Sequence, residues 1–202
     1  MLLEHLKSQL RDHIRILDET INESSATIIE LVEVISHSFQ NGNKLLLCGN
    51  GGSAADAQHI AAEMINRFSY DRHPLPAIAL TTDTSVLTSI SNDYGFEQVF
   101  SRQVQGLGVA GDILIGISTS GASSNVLKAL SIAKQKKIIT IGFTGEKGKQ
   151  IMSPLCDYCL VASSTNTARI QECHEFILHL ICGMVEEKIY PSGNNYIYDY
   201  AN

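Results

Sequence analysis

The first forty residues carry apolar side chains at the spacing of an amphipathic helix. Leucine and isoleucine recur every three or four positions from residue 3 to residue 21 and again from residue 28 to residue 35, which is the period of one helical face. The polar stretch 22–25 leaves open whether this is one long helix or two. Such a stripe must be buried against its own domain or another subunit. We therefore predict an N-terminal helical arm over residues 1–40.

From residue 41 the pattern changes to short, continuous apolar runs, several of them rich in β-branched residues. Five runs occur, at residues 44–48, 77–81, 112–118, 137–144 and 157–162. Continuous runs are typical of strands buried on both faces, and strands that alternate with helices form a mainly parallel sheet. The sequence therefore predicts a single α/β domain, with a doubly wound core at 41–190 and a tyrosine-rich tail at 191–202 that packs against a surface.

A glycine-rich turn follows the first predicted strand, where Asn50, Gly51, Gly52 and Ser53 precede a predicted helix. In parallel sheets, ligands bind outside the carboxyl ends of the strands. Glycines at a strand–helix turn let backbone amides approach an anion, and the helix N-terminus adds positive potential. The alternative is a plain tight turn, because Ser53-x-x-Asp56 resembles a capping box. The turn is neither a Walker loop nor G-x-G-x-x-G, so it does not predict nucleotide binding.

A second polar loop follows the third predicted strand and is rich in hydroxyl groups. Four hydroxyl side chains stand between this strand and the next helix: Ser118, Thr119, Ser120 and Ser123. Helix capping needs only one of them. The surplus favours a phosphate or sugar ligand, held by neutral donors at the start of a helix. We predict that a phosphate group binds at residues 118–123.

The charge of the chain argues against two classes of partner. Lysine and arginine total 15 against 21 aspartates and glutamates, a net charge of −6. An acidic domain has no electrostatic footprint for nucleic acid or for an anionic membrane, and no stretch approaches the roughly 20 apolar residues of a membrane span. The charged N-terminus lacks the apolar region of a signal peptide, and an odd number of cysteines, five, fits reduced thiols. These features predict a cytoplasmic protein.

Two predicted helices carry side chains that can bind a metal ion. His59 and Glu63 are four residues apart and share one helix face. The last helix carries a polar group made of Gln171, His174, Glu175 and His179. Gln171 and His179 lie about 12 Å apart along an ideal helix axis, so they could converge only through side-chain reach or an irregular first turn. Imidazole and carboxylate suit zinc, whereas carboxamide is a rare ligand. The alternative is an ordinary surface pairing of histidine with glutamate.

Four segments together resemble the phosphoheptose isomerases of the sugar isomerase (SIS) domain family. They read GNGGSAADAQHIAAE, TTDTSVLTSISNDYGFEQVFSRQV, GDILIGISTSGASSNVLKAL and RIQECHEFILHLICGMVEE. The resemblance runs in one register from about residue 40 to residue 190. It implies a five-stranded parallel sheet flanked by helices and a homotetramer with active sites between subunits. It also implies conversion of sedoheptulose 7-phosphate to D-glycero-D-manno-heptose 7-phosphate through an enediol, for bacterial heptose and lipopolysaccharide synthesis.

The resemblance also implies roles for individual residues. The acid/base pair of the family falls on Glu63 and His179. Its metal site, expected to hold one zinc ion per subunit, falls on His59, Glu63, Gln171 and His179. Its substrate contacts form a larger set: Asn50, Gly51, Gly52, Ser53, Glu63, Asn92, Asp93, Ser118, Thr119, Ser120, Ser123 and Gln171.

Two alternatives remain open at this point. The chain could isomerise another sugar phosphate on the same fold, or it could be a non-catalytic SIS-domain binding module of the replication-initiator-associating type. Such a module need not keep an acid/base pair, so the retained site residues argue for the enzyme. The roles of two residues are also open: Asp56 orients His59 or caps the helix, and Arg67 reaches a phosphate or lies on the surface.

Overall fold

The centre of the computed structural model, which describes residues 1–191, is a five-stranded sheet. All neighbouring strands are parallel, in the order β2-β1-β3-β4-β5. The strands are β1 (Leu45–Gly49), β2 (Ala77–Ala79), β3 (Ile113–Ile117), β4 (Ile139–Gly145) and β5 (Tyr158–Ala162). Every residue of β1 and β3 is buried, as continuous apolar runs require. The five predicted strands are confirmed, whereas the tyrosine-rich tail from residue 192 onward lies outside the described residues.

Helices cover both faces of the sheet. They are α1 (Leu2–Gln40), α2 (Gly52–Ile65), α3 (Thr84–Tyr94), α4 (Val99–Leu107), α5 (Ser124–Gln135), α6 (Lys149–Met152) and α7 (Thr167–Ile189). Helices α1, α2 and α7 share one apolar core with the sheet, and α3, α4 and α5 share the core on its other face. The sheet is therefore doubly wound, as predicted. Its carboxyl edge carries both of the polar loops that the sequence singled out.

The N-terminal arm is one continuous helix of 39 residues, so the single-helix alternative is correct. Its C-terminal half packs into the core, where Leu31 and Ile35 are fully buried. Its N-terminal half leaves large apolar side chains more than half exposed: Leu3, Leu6, Leu10 and Ile14. Between the halves, His13 Nδ1 lies 2.7 Å from a Glu172 carboxylate oxygen on α7. The N-terminal arm thus buries half of its apolar face against its own chain.

Two further observations concern membrane-spanning helices and the cysteines. No helix within residues 1–191 is long and apolar enough to cross a membrane. All five cysteines are free thiols. Cys159 lies on β5 and Cys156 lies just before it, and both are half-buried.

Candidate active site

The glycine turn after β1 begins helix α2 earlier than predicted. Gly51 is the N-cap with a φ of +56°, a conformation that favours glycine, and α2 starts at Gly52. No side-chain cap hydrogen bond is present. The capping-box alternative for Ser53 and Asp56 is therefore wrong, because Ser53 is already inside the first helical turn. With no side-chain cap, the first amides of α2 remain available to an anion.

The hydroxyl loop (residues 118–123) follows β3, the strand next to β1. The Oγ atoms of Ser118 and Ser123 lie 2.9 Å apart, and the Ala122 amide donates to Ser120 Oγ at 3.2 Å. Ser123 is the N-cap of α5, but its side chain makes no cap hydrogen bond. Helix capping therefore does not account for these hydroxyl groups, and a ligand remains the better explanation for their number.

A contact between two glycines holds the hydroxyl loop in place. Gly121 has a φ of +64°, and a Cβ atom on it would lie 2.3 Å from the Cα atom of Gly148. The Gly145 amide, at the end of β4, donates to the Thr119 carbonyl at 3.1 Å. The loop is thus seated against the turn that follows β4. A methyl group at either glycine would push the loop out of this position.

Asn50 and Asn125 join the glycine turn to the hydroxyl loop. Their side-chain amides exchange two hydrogen bonds of 2.9 Å, and Asn125 is buried in the first turn of α5. Asn125 is not among the site residues predicted from the sequence. A signal was present, because asparagine has low helix propensity and its place at the start of an apolar helix indicates a role other than packing. These hydrogen bonds therefore connect the glycine turn to the hydroxyl loop.

Helices α2 and α7 lie side by side and run in the same direction. Their facing residues pair in chain order on successive turns: Gly52 with Gln171, Asp56 with Glu175, and His59 with His179. The steps of three or four residues on α2 and of four on α7 are the spacing of one helix face. The functional residues predicted on the two helices are therefore brought to a shared face.

Two histidines and two glutamates converge in the middle of this face. The Nε2 atoms of His59 and His179 lie 2.8 Å apart, with the rings edge to face at 75°. Glu175 Oε1 lies 3.4 Å from both of these nitrogens, and Glu63 Oε1 lies 3.5 Å from His59 Nε2. The ligand atoms of His59, Glu175 and His179 all lie within 4.8 Å of one another. This spacing suits donors that surround one ion.

Two carboxylate oxygens next to the histidines lack partners. Asp56 Oδ2 and Glu175 Oε2 are buried and accept no hydrogen bond. Burial, followed by the nearby Glu175 carboxylate, raises the pKa of Asp56 to about 6. Buried, unpaired carboxylates are unfavourable unless a cation or a hydrogen-bond donor compensates them. Together with the imidazole nitrogens they form a donor set that fits zinc. The residues present therefore fit the metal that the resemblance implies.

Several predicted residues lie away from this cluster. Asn92 and Asp93 are exposed at the end of α3, on the other face of the sheet, where the Asn92 amide donates to Asp93 Oδ1 at 2.8 Å. Arg67 does not share a helix with His59, because α2 ends at Ile65. Its guanidinium forms an exposed ion pair with Asp71 at 3.2 Å, which agrees with the surface role.

His174 does not lie with the other members of the polar group that the sequence suggested on α7. It is fully buried and edge-on to the Phe143 ring, and its Nε2 lies 3.1 Å from the Thr144 carbonyl oxygen. Burial lowers the pKa of His174 to about 4, although the contact with Thr144 acts in the opposite direction. His174 therefore stays neutral and packs α7 against the end of β4, below the hydroxyl loop.

A buried ion pair fixes the end of α2 that carries Glu63. Arg72 Nε donates to Glu186 Oε1 at 2.9 Å, and both side chains are 1% exposed. Arg72 Nη2 also donates to the Glu63 carbonyl at 2.8 Å, while Glu186 accepts from the Phe68 amide at 2.8 Å. This pair was not predictable from the sequence, because its members are 114 residues apart and neither belongs to a recognisable motif.

Comparisons with known proteins identify the family of the chain. Residues 10–145 match the family model described as the SIS domain. The chain belongs to the SIS domain family. Within that family it is 53% identical over 195 residues to phosphoheptose isomerase 2 of Campylobacter jejuni, and the match covers 95% of this chain and 96% of the relative.

Solved structures point to the same branch of the SIS domain family. The phosphoheptose isomerase of Neisseria gonorrhoeae superposes with a TM-score of 0.86 at 43% identity, covering 93% of this chain and 100% of that one. The phosphoheptose isomerase of Francisella tularensis superposes with a TM-score of 0.88 at 37% identity, covering 93% and 99%. The predicted fold and the isomerase assignment are thereby confirmed, and the non-catalytic alternative loses its support.

Proposed function

We propose that this SIS domain isomerase interconverts sedoheptulose 7-phosphate and D-glycero-D-manno-heptose 7-phosphate. The convergence of Glu63, His59 and His179 carries the proposal, because it supplies acid, base and metal-binding groups at one place. The relatives named phosphoheptose isomerase support the substrate. We further propose that the enzyme acts in the cytoplasm, where its free thiols stay reduced, and that its product serves heptose and lipopolysaccharide synthesis.

The substrate phosphate is proposed to bind at the hydroxyl loop. Ser118, Thr119, Ser120 and Ser123 supply hydroxyl donors there, and the start of α5 adds backbone amides. The sugar then extends toward the α2–α7 face past the joined loops, where further contacts are proposed from the resemblance: Asn50, Gly51, Gly52, Ser53, Asn92, Asp93 and Gln171. Neutral donors fit an acidic chain with no general positive field.

The chemistry follows from the acid/base pair. Aldose–ketose isomerisation moves a proton between C1 and C2 through a cis-enediol. Glu63 is proposed to remove the proton from C1 of the ketose and to return it to C2. His179 is proposed to donate a proton to the carbonyl oxygen at C2 and to accept the proton of the hydroxyl at C1. A positioned acid and base of this kind contribute about 10²–10⁴-fold each.

Zinc is the proposed cofactor, one ion per subunit, held by His59, Glu63 and His179. When bound, it supplies Lewis-acid polarisation of the substrate oxygens. The resemblance adds Gln171 as a fourth ligand. In this structure the Gln171 amide lies beside Gly52, where a Cβ atom would be 2.5 Å from its Nε2. The Gln171 side chain therefore lies at the glycine turn, two helical turns away from His179.

The proposed assembly is a homotetramer with active sites between subunits. The exposed leucines of the N-terminal half of α1 support it, as does a cavity of about 400 Å³ between apolar residues of α1 and α7. Light scattering should give the mass of four chains. The other partner is the sugar phosphate. The net charge of −6 favours neither a nucleic acid nor a membrane partner.

An NMR assay of the purified protein tests the proposed activity directly. Sedoheptulose 7-phosphate is supplied, and the anomeric proton signals of a heptose 7-phosphate are followed with and without a zinc chelator. We expect conversion that the chelator slows. Arabinose 5-phosphate and other sugar phosphates are supplied in parallel. Turnover of one of these alone would favour the alternative isomerase, and turnover of none would favour a binding module.

A further inference from the structure

Asn125 holds the side chain of Asn50 from the first turn of α5. Asn50 follows Gly49, the last residue of β1, and Gly49 is paired in register with Ile117, the last residue of β3. The glycine turn and the hydroxyl loop therefore leave neighbouring strands at the same level of the sheet. The Asn125 side chain, only 3% exposed, spans the gap between them and exchanges two hydrogen bonds of 2.9 Å with Asn50.

A backbone amide decides which way round the Asn125 side chain lies. The oxygen and nitrogen ends of an asparagine amide have nearly the same shape, so hydrogen-bond partners set its orientation. The Val126 amide donates to Asn125 Oδ1 at 2.9 Å, so this end must be the acceptor. Asn125 Nδ2 is then the end that donates to Asn50 Oδ1, while Asn125 Oδ1 accepts from Asn50 Nδ2. The orientation of the Asn50 amide is therefore fixed in turn.

The paired Asn50 amide keeps hydrogen-bonding capacity for a ligand. Its Nδ2 atom carries two N–H groups and its Oδ1 atom carries two lone pairs, and Asn125 occupies one of each. One N–H group and one lone pair remain at fixed positions on Asn50, which is only half-buried. A sugar hydroxyl group can accept from the first or donate to the second. A reversed Asn50 would present an acceptor where the sugar needs a donor.

We propose that Asn125 is a positioning residue of the isomerase. It acts through Asn50, whose amide it orients toward the sugar, and it keeps the glycine turn at a set distance from the hydroxyl loop. This role rests on the proposed function for the substrate and for its contact with Asn50. The competing explanation is helix capping, in which Asn125 Oδ1 only satisfies the Val126 amide in the first turn of α5.

A double-mutant cycle separates positioning from helix capping. kcat and KM for sedoheptulose 7-phosphate are measured for the wild type, Asn50→Ala, Asn125→Ala and the double variant. If Asn125 acts through Asn50, its removal matters only while Asn50 is present, so the two losses are not additive. If Asn125 only caps α5, its removal has the same effect in both backgrounds. Urea denaturation measures the contribution of Asn125 to stability separately.

Two further variants serve as controls. Asn125→Asp keeps an acceptor for the Val126 amide but has no N–H group for Asn50 Oδ1, and it replaces Asn125→Ala in the cycle if that variant fails to fold. Repulsion between its charge and the substrate phosphate would persist in the Asn50→Ala background, whereas lost positioning would not. Asn41→Ala removes an exposed asparagine that donates to the His37 carbonyl at the end of α1, away from both loops.

We expect Asn125→Ala to lower kcat/KM by about 10–100-fold, because a slightly misplaced substrate loses about this much in rate. Most of the loss should fall on kcat, since the phosphate still binds at the hydroxyl loop while the reacting carbons are displaced. In the Asn50→Ala background the same change should alter kcat/KM by less than about threefold. Asn41→Ala should keep the kcat and KM of the wild type.

Equal losses in the two backgrounds would overturn the positioning role, as would a wild-type kcat/KM in either Asn50→Ala or Asn125→Ala. The proposed function is judged on the wild type alone. Turnover of sedoheptulose 7-phosphate with additive losses rejects the role of Asn125 and keeps the function. Turnover of a different sugar phosphate rejects the substrate, and the same cycle on that sugar phosphate then decides the role of Asn125. A wild type that converts no sugar phosphate rejects both.

Discussion

The Nε2 atoms of His59 and His179 lie 2.8 Å apart although 120 residues separate them in the chain. Two imidazole nitrogens at this distance must share a proton or a cation, because a neutral ring has one nitrogen that donates and one that accepts. The contact also joins α2 to α7 at the middle of their shared face. The geometry of the active site depends on this junction and on the elements that hold the two helices in register.

The buried ion pair between Arg72 and Glu186 is the first of these elements. Glu186→Gln should lower the free energy of unfolding by about 3–5 kcal/mol, because it removes the buried carboxylate that accepts from Arg72 Nε and from the Phe68 and Ser69 amides. Urea denaturation measures the effect. Glu33→Gln is the control, since it breaks an exposed pair with Lys188 and should lower stability by no more than about 1 kcal/mol. Equal losses in the two variants would show that Arg72 finds another partner.

The contact between Gly121 and Gly148 predicts a selective effect on substrate binding. A Cβ atom at Gly148 would lie 2.0 Å from Thr144 Oγ1 and 2.6 Å from Gly121 Cα, so Gly148→Ala should displace the hydroxyl loop and raise KM for the sugar phosphate. Gly106→Ala on α4 is the matched control, because nothing lies within 4 Å of its added methyl group. That variant should keep KM and gain about 0.5–1 kcal/mol of stability. An unchanged KM in Gly148→Ala would contradict the placement of the phosphate.

The hydroxyl groups of the loop can also be removed directly, at the cost of one exposed hydrogen bond from the Ala122 amide to Ser120 Oγ. The double variant Thr119→Ala with Ser120→Ala should raise KM for sedoheptulose 7-phosphate by at least about tenfold, since one hydrogen bond to a charged group contributes about 1.5–3 kcal/mol. Steady-state kinetics measure KM, and circular dichroism confirms that the fold is kept. A KM equal to that of the wild type would move the phosphate to residues 50–53.

His174 predicts how stability changes with pH. Burial lowers its pKa to about 4 in the folded protein, against about 6.5 in an unfolded chain. Between these values the unfolded chain binds a proton that the folded protein excludes, so stability is lost as the pH falls from about 6.5 towards 4. Between pH 7 and pH 5 the wild type should lose about 2 kcal/mol more than His174→Gln. Urea denaturation at both pH values, with chelator present, measures the difference, and parallel losses would contradict it.

The fold was predictable from the sequence because its signals are local. Each strand is a continuous apolar run, as at Ile113–Ile117, and a parallel sheet requires such runs. The polar loops were found for the same reason, since chemistry in this class of fold lies where strands end. The choice between one arm helix and two could not be made locally, because it depends on Ser24, a polar residue of the joining stretch that is buried within the continuous helix.

The parts of the site that were missed depend on contacts between distant segments. Asn125 and the ion pair of Arg72 with Glu186 acquire their roles only when α2, α5 and α7 are in place. The capping box predicted at Ser53 was wrong for a related reason. The helix begins at a glycine with positive φ, and the Ser53-x-x-Asp56 spacing does not indicate that conformation. Spacing along one helix identifies a face, whereas the residues opposite that face come from tertiary structure.

The most direct test of the central claim is the kcat of Glu63→Gln and His179→Gln, measured for sedoheptulose 7-phosphate across a zinc titration. We expect each kcat to fall by about 10²–10⁴-fold, or about 3–5 kcal/mol of barrier, and zinc not to restore it. Glu30→Gln, on the exposed side of α1, is the control. Recovery with zinc would reduce Glu63 to a metal ligand, and near-normal kcat in both variants would contradict the assignment of the proton transfers to Glu63 and His179.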